Sequence, residues 1–150
     1  MDGYFCHKFE DLGFDCCAIE QNEVRCWFLT KLRKINDKEF SIRNEDITKS
    51  SVLDQEFSVC LALNVFHHFL KSERMYNALL DVLDRLDTEI LFFQAHTQDY
   101  IDSFESRGGE YHKRFVEDDF AEFVVDKGGF SSYELLGRPD SDDRPLYKIE

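Results

Sequence analysis

Apolar residues recur along this chain with two alternating periods. Helical spacing marks residues 4–12, where Phe5, Phe9 and Leu12 share a face and Gly13 closes the turn. The same spacing runs through Val24, Trp27, Phe28, Leu32 and Ile35 in residues 22–35. It returns through Met75, Leu79, Val82, Leu83 and Leu86 in residues 72–86. A looser, partly helical segment covers 97–106, and a further helix over 115–127 ends at Gly128 and Gly129. Between these lie short strand-like runs: "FDCCAI" at 14–19, "FSIRNEDI" at 40–47, "FSVCLAL" at 57–63 and "EILFFQ" at 89–94. Two last runs, "SSYELLG" and "PLYKI", flank the polar turn "RPDSDDR". Strands alternating with helices predict an α/β fold, with a mostly parallel sheet and helices on both faces. The closing pair of runs lies close enough for an antiparallel hairpin. With 150 residues, no repeat and no low-complexity linker, a single domain over 1–150 is expected.

Charge narrows the partners. The net charge of −13 repels phosphate backbones and anionic membrane surfaces, so neither nucleic acid nor membrane is an expected partner. A composition 43% hydrophobic with two prolines suits a packed core rather than disorder. No apolar run approaches membrane-spanning length, and the first residues lack a secretory pattern, which makes the cytoplasm the expected location. Cys6, Cys16, Cys17, Cys26 and Cys60 are odd in number, contain no CxxC pair, and read as reduced and mostly buried. A zinc site from Cys16, Cys17, His67 and His68 has no recognised spacing, so no metal is expected.

In an open α/β sheet, ligands bind beyond the carboxyl ends of the strands. That points to Glu20, Asp46, Asn64 and Gln94. Gly3 precedes the first helix, where a missing side chain lets a backbone approach a ligand. Glu20 follows it by 17 positions, near the spacing of an acid that holds a ribose diol; capping the next helix is the plainer reading. Asp46 is either an acceptor for an adenine amine, with Ile47 against the ring, or an ordinary loop acid. In "LALNVFHHF", Asn64 can meet a ligand's polar end, and one of His67 and His68 can serve as a general base. "RGGEYHKRF" gathers Arg107, His112, Lys113 and Arg114, either as a flap for an anionic substrate or as a solvated loop. No G-x-S-x-G, Walker loop or H-E-x-x-H is present.

Taken together, these segments resemble the class I, Rossmann-like S-adenosylmethionine-dependent methyltransferases. "DGYFCHKFEDLGFDCCAIE" is similar to the end of their glycine-rich first motif, its helix, and the second strand with its ribose-binding acid. "NEDI" resembles their adenine-contacting motif, "FSVCLALNVFHHF" their fourth-strand motif, and "GGFSSYELLGRPDSDDRPLYKI" their closing hairpin. The resemblance implies S-adenosylmethionine as cofactor. It places Gly3 beside the methionine part, with Tyr4 and Phe5, and gives the ribose to Glu20 with Gln21. Asp46 and Ile47 would take the adenine, and Asn64 would lie near the methyl donor; apart from the resemblance, the charge of the basic segment makes Arg107, His112 and Arg114 the expected contacts for an anionic acceptor. Catalysis would fall to His67 or His68 where the acceptor is an oxygen that must lose a proton.

The family's motif reads roughly acid-x-Gly-x-Gly-x-Gly at the end of a first strand, and only its last glycine stands here. The reading is therefore of a chain truncated within that motif and lacking the usual first strand. Three arrangements would accommodate this: direct closure of the flanking strands, a strand supplied by a homodimer or partner chain, or a fragment of a longer product. The expected activity is methyl transfer to a small-molecule or glycan acceptor, at oxygen. The alternative is a degenerate, non-catalytic domain that acts as a binding or assembly partner.

Overall fold

The computed structural model describes residues 3–102, 110–139 and 143–150, which cluster into two compact units, 1–50 and 51–150. The α/β class, the parallel strand pairing and the closing antiparallel hairpin are all present.

The first unit contains α1 (Tyr4–Asp11), β1 (Cys17–Ile19), α2 (Glu23–Ile35) and β2 (Ser41–Arg43). β1 and β2 pair in parallel, Cys17 opposite Ser41 and Ile19 opposite Arg43. Both strands are shorter than the apolar runs that predict them. The run at 40–47 ends early because Asp46 turns back to accept from Thr48 N–H, which starts a 3-10 helix at Ile47–Lys49. Asn22 starts α2 by accepting from Arg25 N–H at 3.0 Å.

α2 departs from the expected packing. The side turned inward is centred on Leu29, and Arg33 is anchored by a 2.8 Å bond from Nη1 to the Phe40 carbonyl. Val24, Trp27, Phe28 and Ile35 consequently face solvent, although they supply most of the apolar periodicity. Leu12 is also exposed, because α1 ends before it. The centre of this unit is Leu29 and Phe40, with His7 edge-on to Phe40 at 5.0 Å. The cysteines carry no disulfide, and all five are half-buried rather than enclosed. Burial raises the Cys6 thiol to about 11, with neighbouring Cys16, Cys17 and Glu10 adding to the shift.

The second unit contains β3 (Phe57–Ala62), α3 (Glu73–Arg85), β4 (Thr88–Gln94), α4 (Gln98–Asp102), α5 (Glu110–Arg114), α6 (Asp118–Gly128), β5 (Tyr133–Gly137) and β6 (Leu146–Ile149). Two 3-10 helices, Ser51–Asp54 and Phe66–Lys71, flank β3. The sheet order is β3-β4-β6-β5, so the last strand enters between two earlier ones. β3 and β4 are parallel, whereas β6 runs antiparallel to both β4 and β5. Leu91, Phe93, Tyr147 and Ile149 of the two inner strands are fully buried with Leu70, Leu79, Leu83, Phe120 and Val124. Each such side chain contributes about 1.5–3 kcal/mol. Phe93 packs edge-on against Phe120 at 4.8 Å. Ser72 caps α3 by accepting from Met75 N–H, and Gly129 closes α6 in the left-handed region.

Gly3 shows how tightly the first unit is fitted. Its φ is +73°, and a Cβ there would collide with Leu29 Cδ1. Gly3→Ala should therefore destabilise the chain by about 2 kcal/mol, read as a lower urea midpoint. An unchanged midpoint would mean that the α1–α2 contact is not tight.

Candidate functional site

In residues 3–50, Glu20 and Asp46 stand just past the carboxyl ends of β1 and β2. Both have local work. Glu20 Oε1 accepts from Asn22 N–H at 2.7 Å, and its main-chain carbonyl accepts from Asn44 Nδ2 at 2.8 Å. Asp46 Oδ1 accepts from Thr48 N–H at 3.0 Å and Thr48 Oγ1 at 2.9 Å. Asp46 thus caps its own 3-10 turn, whereas α2 is capped by Asn22 and Glu20 only braces the turn before it. A carboxylate has about four lone-pair sites, so each keeps capacity for a ribose hydroxyl or an amine. Gln21 is exposed, and Ile47 is half-buried in the 3-10 helix that follows Asp46. Tyr4 is exposed, its ring edge-on to Phe5 at 5.4 Å. Gly3 opens α1, but its bare α-carbon faces Leu29, so its small size serves helix packing here.

In residues 51–150, a second group forms at the carboxyl ends of β3 and β4. Asn64 follows β3 with φ +58°. His67 and His68 lie in the next 3-10 helix, their ring centroids 4.0 Å apart. His96 comes two residues after β4 and lies 6.4 Å from His67 and 5.5 Å from His112 of α5. His96 Nε2 is 3.1 Å from the His112 carbonyl, so that nitrogen carries the proton and donates. From the entry to β6, Arg144 donates through Nη1 to Asn64 Oδ1.

Burial decides the protonation of this cluster. His67 is 3% exposed, and desolvation, then the charges of His68, His96, Arg144 and His112, push its pKa down to about 3. Desolvation is also the main cause for His96, pushed down to about 4 against the opposing bond to His112. His68 and His112 are lowered too, by burial first. All four rings are neutral at pH 7. Of the expected pair, His68 is the one exposed to solvent.

The expected substrate residues divide. Arg107 lies outside the described residues. His112 is buried against His96, and the loop expected around it is helical over Glu110–Arg114. Arg114 is exposed, its guanidinium 5.2 Å above the Phe115 ring. Among the described residues no group of His, Cys, Asp and Glu is placed to hold a metal ion.

Sequence reasoning missed His96 and Arg144. His96 had a usable signal, since it stands just beyond Gln94 at a strand's carboxyl end. Arg144 had none, because it belongs to a polar turn whose partner is 80 positions away.

No family model and no curated protein matches the chain in sequence. Solved structures match its fold. The bifunctional kinase-methyltransferase WbdD is similar with a TM-score of 0.69 at 18% identity, over 99% of this chain and 32% of that one. A putative O-methyltransferase from Nostoc punctiforme matches with a TM-score of 0.72 at 12% identity, over 99% of this chain and 48% of that one. Magnesium protoporphyrin IX methyltransferase from Synechocystis, solved with bound S-adenosylmethionine, matches with a TM-score of 0.61 at 9% identity, over 89% and 57%. The chain spans about a third of WbdD's length. The fold is that of the Rossmann-like methyltransferases.

The buried imidazoles set the acid response. Above the ordinary histidine pKa of 6.5, neither folded nor unfolded chain protonates them, and they add no pH dependence. As pH falls below 6.5, the unfolded chain takes up protons that folded His67 and His96 refuse. Stability should fall by about 1.4 kcal/mol per pH unit for each ring, until pH nears the folded values. His96→Gln, which keeps a donor for the His112 carbonyl, should remove about one proton from this slope. Urea midpoints at pH 6.5 and 4.5 for both proteins test this, and equal slopes would contradict it.

Proposed function

We propose that the chain acts in S-adenosylmethionine-dependent methyl transfer to a small-molecule or glycan acceptor, at oxygen. The observation that carries this reading is the methyltransferase fold, matched over 99% of the chain in WbdD and in the Nostoc protein. Glu20 would hold the ribose hydroxyls, with Gln21 beside it. Asp46 and Ile47 would take the adenine, and Asn64 the end that carries the methyl group, with Tyr4 and Phe5 near the methionine part. The donor set fits, since the two carboxylates keep acceptor capacity after bonding within their own turns. Gly3 fits less well, because its open side is turned to Leu29.

When bound, the cofactor supplies a methyl group already activated by positive sulfur. The protein's work is then alignment and exclusion of water. A base matters only for an acceptor that loses a proton as it attacks. His68, neutral and exposed, is suited to accept that proton; enclosed His67 holds the same 3-10 turn from within. The acid-rich surface favours a small or glycan acceptor over nucleic acid, and Arg114, with His112 and Arg107, would favour an anionic one. A cytoplasmic setting accords with five free cysteines, and no helix among the described residues is long and apolar enough to cross a membrane.

A second reading has its own support. Glu20, Asp46 and Asn64 all have partners within the chain, as they would in a degenerate domain that serves as a binding or assembly partner. Among the described residues β3 pairs on one side only, with β4, although its residues are apolar enough for a central position. We propose that a second copy or a partner chain adds a strand there.

Calorimetric titration with S-adenosylhomocysteine separates the readings. The enzyme reading expects a Kd in the micromolar range, and no binding at millimolar ligand favours the degenerate domain. With labelled S-adenosylmethionine and a panel of sugars and hydroxy acids, His68→Ala should lower turnover by about 10²-fold or more. Unchanged turnover would remove His68 from the reaction.

A further inference from the structure

α2 carries its apolar side in solvent. Val24, Trp27, Phe28 and Ile35 are 75%, 61%, 44% and 79% exposed. At about 100° per residue, these four and Lys31 share a stripe roughly 100° wide, on the side away from Leu29 and Arg33. Within the stripe, Lys31 Nζ lies 5.4 Å from the centre of the Trp27 ring. Glu23 and Lys34, both exposed, flank one edge of it, one at each end of the helix. They stand about 16 Å apart along the axis, too far to pair within one helix. Neither joins an ion pair among the described residues.

This stripe is complementary to itself. Two α2 helices packed antiparallel about a two-fold axis near position 29 bring Val24 opposite Ile35 of the second copy. They bring Trp27 opposite its Lys31, and Glu23 opposite its Lys34. All three pairs are centred within about half a residue of position 29, so one axis serves them all. The Lys31 stem adds apolar cover while its ammonium reaches the rim, so no charge is enclosed. A parallel pair would instead set Glu23 against Glu23 and Lys34 against Lys34. α2 also holds four cations and one acid in a chain of net charge −13. The stripe therefore lies where general repulsion between copies is least.

We propose that a second copy of this chain covers the stripe, through antiparallel packing of the two α2 helices. The surface belongs to residues 1–50 and is separate from the open side of β3. A helix about 20 Å long offers less than the roughly 800 Å² per partner of a standard interface, so the dimer is weak, with a Kd of about 10–100 μM.

Trp27 is the only tryptophan, so its emission reports the stripe directly. Sedimentation of the whole chain between about 1 and 500 μM should show a monomer–dimer equilibrium, with Trp27 emission moving to the blue in step with the dimer fraction. Glu23→Lys or Lys34→Glu alone should weaken the dimer about fivefold. The two together should restore it, because the swap pairs opposite charges again only in the antiparallel arrangement. Trp27→Ala, read by sedimentation, should weaken it at least about tenfold. These side chains are exposed, so melting temperatures of the dilute variants should hold, which separates lost association from lost folding. A chain that stays monomeric at about 500 μM overturns the proposal. So does a dimer unchanged by Trp27→Ala, which would place the contact elsewhere. A double variant no tighter than the single ones overturns the antiparallel pairing. A monomer whose Trp27 emission shifts on phosphatidylglycerol vesicles would give the stripe to a membrane surface instead, and overturns the proposal too.

Discussion

The second unit depends on where its last strand goes. β6 enters between β4 and β5 and pairs with both, so it completes the sheet from inside rather than extending its edge. Tyr147 and Ile149 reach the core on this strand, and both are fully buried. The Tyr147 hydroxyl donates to Asp118 at 2.5 Å, which fixes the first turn of α6. The residues just before the strand, Arg144 and Pro145, bond to Asn64 and Ala95. Core, helix and candidate site are therefore set by one pairing, made between segments far apart in sequence. Such a pairing forms only after long loops have closed.

The site gains two physical properties from this arrangement. Its histidines are neutral, because burial costs an imidazolium its hydration and a guanidinium adds repulsion. Its asparagine has one orientation, because the group opposite it can only donate. Taken by itself, the first unit holds two carboxylates at strand ends, with acceptor capacity left after they bond within their own turns.

Much of this was legible before the structure. The helical stripe of Leu79, Val82 and Leu83 predicted the buried face of α3, and the alternating elements predicted the α/β class. Asn64 was singled out by its position at the end of an apolar run, and it does stand just beyond β3. What could not be read has physical causes. The periodicity of Val24, Trp27, Phe28 and Ile35 marks a helix but does not say which side is buried; the Arg33 anchor and Leu29 decide that. The 3-10 turn at Asp46 depends on a side chain competing with a strand for backbone donors. The place of Arg144 depends on strand order, which no local pattern carries.

The account rests on cofactor recognition at strand ends. The direct measurement is the amide NMR spectrum of the chain titrated with S-adenosylhomocysteine. The account predicts saturable shifts at Glu20, Gln21, Asp46, Ile47 and Asn64. A spectrum unmoved at saturating ligand, or shifts confined to residues away from these strand ends, would contradict it.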